Sequence, residues 1–218
     1  MKKNTVNFLF LLTITFLVAC NWQAEITLTT QVLNEKNERY DFKAKYPQFG
    51  ITVLDDSISD KVNSYLDRCN KKSAEQVHEE WFRPFEVIIS SRESVLENRY
   101  VSANMKCYYF AGGAHGTTLN HTFNYDTKAK HFLTIDDVLG TDSMQLVQLV
   151  KTRLKDQIGD MNFVDDGVRG VSNLSKFLIS DKGLEFIFDP YEVAAYVYGV
   201  VSVSVSFDEY PFNVERKD

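Results

Sequence analysis

The chain has 218 residues, with 24 Lys and Arg against 30 Asp and Glu and a formal charge of −6. Acidic overall and without a basic run, it is a poor match for nucleic acid. With 44% hydrophobic residues it can bury the core of one large domain or two small ones, and no internal repeat or low-complexity segment occurs.

Lys2 and Lys3 precede an apolar run over residues 8–19. This is the anatomy of a secretory signal, and it is too short for a membrane span of about 20 residues. The run ends in Leu17-Val18-Ala19-Cys20, which resembles the lipobox of bacterial lipoproteins. That resemblance implies removal of 1–19 and acylation of Cys20. The acyl chains would then hold the protein to a membrane, since each buried methylene contributes about 0.8 kcal/mol. A cleaved signal with an incidental cysteine is the alternative. Asn21, where an inner-membrane lipoprotein often has aspartate, leans toward an outer membrane if the envelope has two. Loss of Lys2 and Lys3 would take the charge from −6 to −8, suiting a basic protein partner through long-range steering.

Further along, Ile26, Leu28 and Thr30 alternate with polar residues, a break follows over 34–38, and Tyr40, Phe42 and Ala44 alternate again. The pattern predicts two strands around a polar turn. Apolar spacing from an N-cap at Asp56 or Ser57 through Trp81 predicts one long helix or two, closed by Pro84. Strands are predicted over 85–94, 99–110 and 119–125, then a turn over 126–130, a helix over 143–158 and a loop over 159–170. A hairpin turns at Asp181-Lys182-Gly183. The last strand puts Val201, Val203, Val205 and Phe207 on one face and three serines on the other, as in a half-buried antiparallel strand. No βαβ rhythm appears, so the expected fold is α+β: antiparallel sheets with helices packed on one face.

Val62, Tyr65, Leu66 and Cys69 share a helix face, and Val101, Ala103, Met105, Cys107 and Tyr109 share a strand face. Both cysteines point toward apolar surfaces. A Cys69–Cys107 disulfide and two buried free thiols are both open readings.

Gly112-Gly113-Ala114-His115-Gly116 is the densest candidate for chemistry. A phosphate loop would run into a helix with an early lysine, but here Thr117, Thr118 and Leu119 follow, with no lysine before Lys128. His115 and His121 would lie about 20 Å apart on an extended strand, too far to share a metal. His78 begins a His-Glu-Glu-Trp-Phe stretch without the second histidine of a zinc-protease helix. No serine occupies a nucleophile elbow, Cys107 lies mid-strand, and the adjacent pairs Asp136-Asp137 and Asp165-Asp166 would point apart on a strand. No catalytic residue, metal or cofactor is therefore expected. Gly112, Gly113 and Gly116 are read as a structural corner, using backbone conformations other residues resist, with His115 held by local hydrogen bonds.

The stretch from Gly112 to Leu139 resembles the Gly-Gly-Ala-His strand and following turn of the PdaC-like domain family. In a peptidoglycan deacetylase that domain precedes the catalytic one. Gly183, Leu184, Phe186, Phe188, Pro190, Tyr191, Glu192, Val193, Ala194, Tyr196 and Gly199 match the signature of the C-terminal domain found with it in RsiV-type anti-sigma factors, which bind lysozyme. Ala195 stands where that signature has proline. The resemblance implies a PdaC-like domain over 20–128 and an RsiV-like domain over 129–218, packed together behind a signal over 1–19. It carries no lysozyme-contact residue onto this chain. It implies a cell-envelope binding module rather than an enzyme, recognising a lysozyme-like glycan-cleaving protein or, alternatively, peptidoglycan itself; an envelope enzyme is the remaining class. Tyr191, Tyr196 and Tyr198 concentrate aromatic rings beside the Gly199 bend and form the expected binding surface. Filling of the join between sheet and helix is the structural alternative.

Overall fold

The computed structural model describes residues 26–75, 84–159 and 161–216. Cys20, with its expected acylation, and the His78 stretch lie outside these residues. Among the described residues no helix is long and apolar enough to cross a membrane.

The first sheet has six strands in sequence order: β1 (Thr29–Lys36), β2 (Tyr40–Gln48), β3 (Phe85–Leu96), β4 (Tyr100–Phe110), β5 (Thr117–Asp126) and β6 (His131–Phe132). The α+β class stands, with one correction to its antiparallel character. β2 and β3 run parallel, joined through α1 (Thr52–Glu75). A helix packed back along the sheet returns the chain to the end from which β2 began, so the next strand must repeat its direction. The second sheet orders β7 (Phe177–Ile179), β8 (Gly183–Phe188) and β9 (Val201–Ser206), all antiparallel.

One face of the first sheet is apolar. Phe42 and Ala44, Val87 and Ile89, and Val101, Ala103 and Met105 lie buried beneath Leu54, Ile58, Val62 and Tyr65 of α1. Their spacing of three and four residues keeps these helical side chains on one stripe. The helix starts before the expected cap. The Asp55 carboxylate accepts hydrogen bonds from the backbone N–H groups of Phe49 (2.7 Å) and Ile51 (3.0 Å), satisfying donors that a helix start leaves without partners. β1 faces the other way from the expected pattern: Leu28 and Val32 are 50% and 64% exposed, because Val32, opposite Lys45, lies on the sheet face away from α1, whereas Leu33, opposite Ala44, packs on the core.

Cys69 and Cys107 are both buried and free, so of the two open readings the structure has the free thiols and not the disulfide. Cys69 neighbours Tyr40 and Glu35, on the β1–β2 side, whereas Cys107 sits against Tyr65, one helical turn earlier. β2 and β4 are two strands apart, about 10 Å, beyond the reach of a disulfide.

The second core gathers α2 (Ile135–Val138), α3 (Ser143–Ile158) and α4 (Met161–Gly167) on one face of the second sheet, with Val147, Val150, Leu154, Phe186, Val203 and Tyr210 buried in it. Asp142 caps α3 by accepting from Gln145 N–H, and Gly159 closes it in a left-handed conformation. α4 occupies part of the span expected to be loop. Val164 and Val168 fill the core one turn apart, and Gly167 admits the Glu192 carbonyl to within 2.0 Å of where a Cβ would stand. β6, a short strand not among those expected from the sequence, falls in the span 129–218 assigned to the C-terminal domain but pairs with β5 and extends the first sheet.

The remaining face of the first sheet meets the edge of the second through polar side chains. The Ser102 hydroxyl accepts from Ile179 N–H (3.0 Å) and donates to Asn124 Oδ1 (2.6 Å); Asn124 Nδ2 donates to the Phe177 carbonyl (2.9 Å). The outer edge of β7 is thus capped by side chains rather than by another strand, and all of these groups are buried. Such groups stay in a protein interior only when their hydrogen bonds are made.

Candidate functional site

The glycine corner between β4 and β5 does turn the chain. Gly112 and Gly113 hold φ of 89° and 92°, a region that favours glycine. Gly116 serves a different need: a Cβ there would lie 2.5 Å from the Tyr108 ring. His115 Nδ1 donates to the Gly116 carbonyl (3.0 Å), which fixes a proton on that nitrogen.

Opposite this corner stands the segment after β8. Tyr196 donates its hydroxyl to the same Gly116 carbonyl (2.7 Å), and its ring stacks on His115 with centroids 4.2 Å apart and planes at 30°. Tyr191 continues the stack, 5.5 Å from Tyr196. Tyr191 is 61% exposed at φ of 73°, a conformation that a bulky residue holds only when its surroundings enforce it. The corner residues and the tyrosines, separate in sequence, form one aromatic ledge. Tyr198 takes no part in it; its hydroxyl donates to the Ile158 carbonyl at the end of α3 (3.1 Å). Gly199, at φ of 65°, bends the chain away into β9.

The ledge is anchored by buried charge. Asp189 Oδ1 accepts from the backbone N–H and the side-chain amide of Asn120 (2.8 and 2.6 Å), while its Oδ2 accepts from Lys176 (2.5 Å). Lys176 also reaches Glu192, whose other oxygen accepts from Asp189 N–H. Burial opposes the Lys176 charge, but its hydrogen bonds to Asp189 and Glu192 outweigh it and hold the pKa above the usual lysine value.

Beside the ledge lies a groove of about 480 Å3, lined by Asp41, Glu86, Tyr108, Phe110 and His115 among others. Strand register puts Lys36 and Asp41, then Lys43, Ile88 and Tyr108, then Ser90 and Lys106, in successive rows on this face. Ile88 is 40% exposed there, so this half of the face is open to solvent.

Elsewhere the chemistry is quiet. Burial pushes the Cys107 thiol up to about 12 and the Cys69 thiol to about 11, so neither is a nucleophile near neutral pH. Among the described residues no three His, Cys, Asp or Glu side chains group as a metal site. His121 lies on the opposite sheet face from the ledge, 2.8 Å from the Tyr65 hydroxyl.

Two family models match the chain in order. The one described as Deacetylase PdaC covers residues 33–118, and the one described as Protein of unknown function (DUF3298) covers 136–208. The chain carries the two in tandem. A curated relative, the peptidoglycan-N-acetylmuramic acid deacetylase PdaC of Bacillus subtilis, is 26% identical over 173 residues. The match takes in 76% of this chain but only 37% of that protein. Crystal structures of DUF3298 family members share the fold. The one from Bacteroides fragilis has a TM-score of 0.59 at 15% identity, over 84% of this chain and 91% of its own. The one from Pseudomonas aeruginosa has a TM-score of 0.59 at 14% identity, over 84% and 92%.

His115 and Gly116 belong to the PdaC segment and Tyr191 and Tyr196 to the DUF3298 segment, so both contribute to the ledge. Asn120 and Asn124, which bind the second sheet to the first, fall between the two matched spans. The ring stack itself had a partial signal in sequence, since each half was conspicuous; their meeting had none.

Proposed function

We propose that the protein is a cell-envelope binding module, not an enzyme, and that it recognises the glycan of peptidoglycan at the His115–Tyr196–Tyr191 ledge. The ledge beside an open groove carries this reading, because sugar rings stack their C–H faces on aromatic rings while polar groups at the rim engage their hydroxyls. Kinship to a peptidoglycan deacetylase supports the choice of polymer. The charge of the face supports it too. Lys36, Lys43, Lys45 and Lys106 project on the open side of a chain whose formal charge is −6; Asp41, paired with Lys36 and Lys43, and Glu86 offset only part of this charge, and a glycan bearing carboxylates is drawn to the cations that remain.

A lysozyme-like protein is the second reading, favoured by the acidic chain as a whole and by the bare tip at Val197, which is 86% exposed. A basic partner would be steered by the overall field and held by apolar contact at that tip. In either case acylation of Cys20 would tether the module at a membrane, facing the periplasm or surface where the envelope has two.

Titrating the protein against soluble peptidoglycan fragments, and separately against a lysozyme, at low and high salt, separates the readings. Fragment binding lost in Tyr191→Ala supports the glycan. Salt-sensitive lysozyme binding with no response to fragments supports the second. Turnover of the fragments would overturn the non-enzymatic class. Cys20→Ala should release the protein from the membrane fraction; retention with acyl label would refute the anchor.

A further inference from the structure

A second cavity, of about 340 Å3, lies where the two sheets diverge. Ser90, Arg92, Asn104 and Lys106 form its wall on the first sheet, and Glu185 and Ser202 face them from the second. Ser202 belongs to the serine face of β9, whose alternation is evident in the sequence but has no role in the ledge. Arg92 pairs with Glu185 across the gap (2.7 Å). Lys106 is exposed and makes no ion pair among the described residues, so the cavity keeps one uncompensated cation.

Asn104 is the telling residue. It is 8% exposed, and its Oδ1 is buried without a hydrogen-bond partner. Its orientation follows from its neighbours. The Asp189 carboxylate can only accept, so Asn120 must present its Nδ2 there (2.6 Å) and turn its Oδ1 toward Asn104. Asn104 must then donate its own Nδ2 to that oxygen (3.0 Å), which leaves Asn104 Oδ1 as an acceptor still wanting a donor. Folded proteins rarely leave such an atom unpaired unless something fills the site.

We propose that this cavity is a second ligand site, for a small carboxylate that also carries an amide N–H or hydroxyl donor. The carboxylate pairs with the Lys106 ammonium at the mouth, and the donor reaches Asn104 Oδ1 within. Ser90 and Ser202 hydroxyls adapt as donor or acceptor on either wall. An N-acylated sugar acid and an N-acylated peptide end both offer this chemistry. The site neighbours the groove beside the aromatic ledge but is lined by different residues: Tyr108, in the groove, and Lys106, at the cavity, are about 7 Å apart along β4, while Arg92, on the far side of the cavity, is about 20 Å from Glu86 on β3.

The test is an isotope-edited NMR titration of the full chain with N-acetylmuramic acid, N-acetylalanine and N-acetylglucosamine, which lacks a carboxylate. Saturable shifts of the Asn104 side-chain amide are expected with one or both carboxylates, and affinity for N-acetylglucosamine should be lower by about tenfold or more. Response to the sugar acid alone places the source in glycan; response to N-acetylalanine alone places it in peptide. Lys106→Gln, an exposed change, should weaken the carboxylate response at least fivefold while leaving the unfolding midpoint unchanged. Equal response to all three probes, no saturable shift at Asn104, or an unaltered affinity in Lys106→Gln would each overturn the proposal. Tyr191→Ala should leave this response intact, so failure of the ledge and failure of the cavity read out separately.

Discussion

His115 and Tyr196 lie face to face, ring centroids 4.2 Å apart, with the Gly116 carbonyl accepting a hydrogen bond from both side chains. One arrives from the β4–β5 corner and the other from the segment after β8, so the ledge exists only when both halves of the chain are in place. Tyr196→Phe keeps the ring and deletes the hydroxyl bond. It should lower stability by about 1 kcal/mol and leave fragment binding largely intact. Tyr191→Ala should do the reverse, costing binding by roughly tenfold with little change in denaturant midpoint, because its ring is exposed and alanine, which also carries a Cβ, holds the same positive φ at similar cost.

Asp189 secures the ledge to β5 and to Lys176. Asp189→Ala strips partners from a buried backbone N–H, a buried amide and a half-buried ammonium. The expected loss is about 3 kcal/mol, read by urea unfolding. Lys176→Met should cost less, since Asp189 keeps both hydrogen bonds from Asn120 and loses only its partner at Oδ2. Equal effects would refute this order.

The two thiols provide a direct check on the core. With both pKa values raised by burial, neither should react with a thiol reagent at pH 8 in the native protein. Both should react after unfolding without any reductant. Recovery of fewer than two thiols under those conditions would mean that a bridge forms.

His121 should make the fold acid-sensitive. Burial, reinforced by Lys61, lowers its pKa from 6.5 to about 4, with Lys176 and Arg68 acting in the same sense and Asp189 opposing. The unfolded chain therefore takes up a proton at higher pH than the folded one. This contribution is full above pH 6.5 and is lost as pH falls toward 4, to the extent of roughly 2–3 kcal/mol. Urea midpoints across that window should decline, and His121→Gln should flatten the part of the slope that this residue causes.

Periodicity showed most of the strands, because burial on one face leaves an alternating pattern. The serines of β9 and the valines between them are where such a pattern put them. The parallel pairing of β2 and β3 left no such mark, since strand direction follows from where α1 docks and not from the strand residues. α4 was hidden by its glycines and aspartates; its reason for being helical is the core that receives Val164 and Val168. At the site, Gly112, Gly113 and His115 announced a corner and the tyrosines announced a surface. Asn104, Asn120 and Asn124 announced nothing, because an asparagine inside a strand gains its meaning from a partner distant in sequence.

The capping of β7 by Ser102 and Asn124 has a consequence for how the chain can be divided. A strand edge with bare N–H and carbonyl groups is a template on which other chains add. The DUF3298 segment expressed without the preceding sheet would present Ile179 N–H and the Phe177 carbonyl in that state, and self-association through this edge is the outcome. The first sheet thus shields the second from edge-to-edge addition, because side chains that cannot be extended occupy its outer edge.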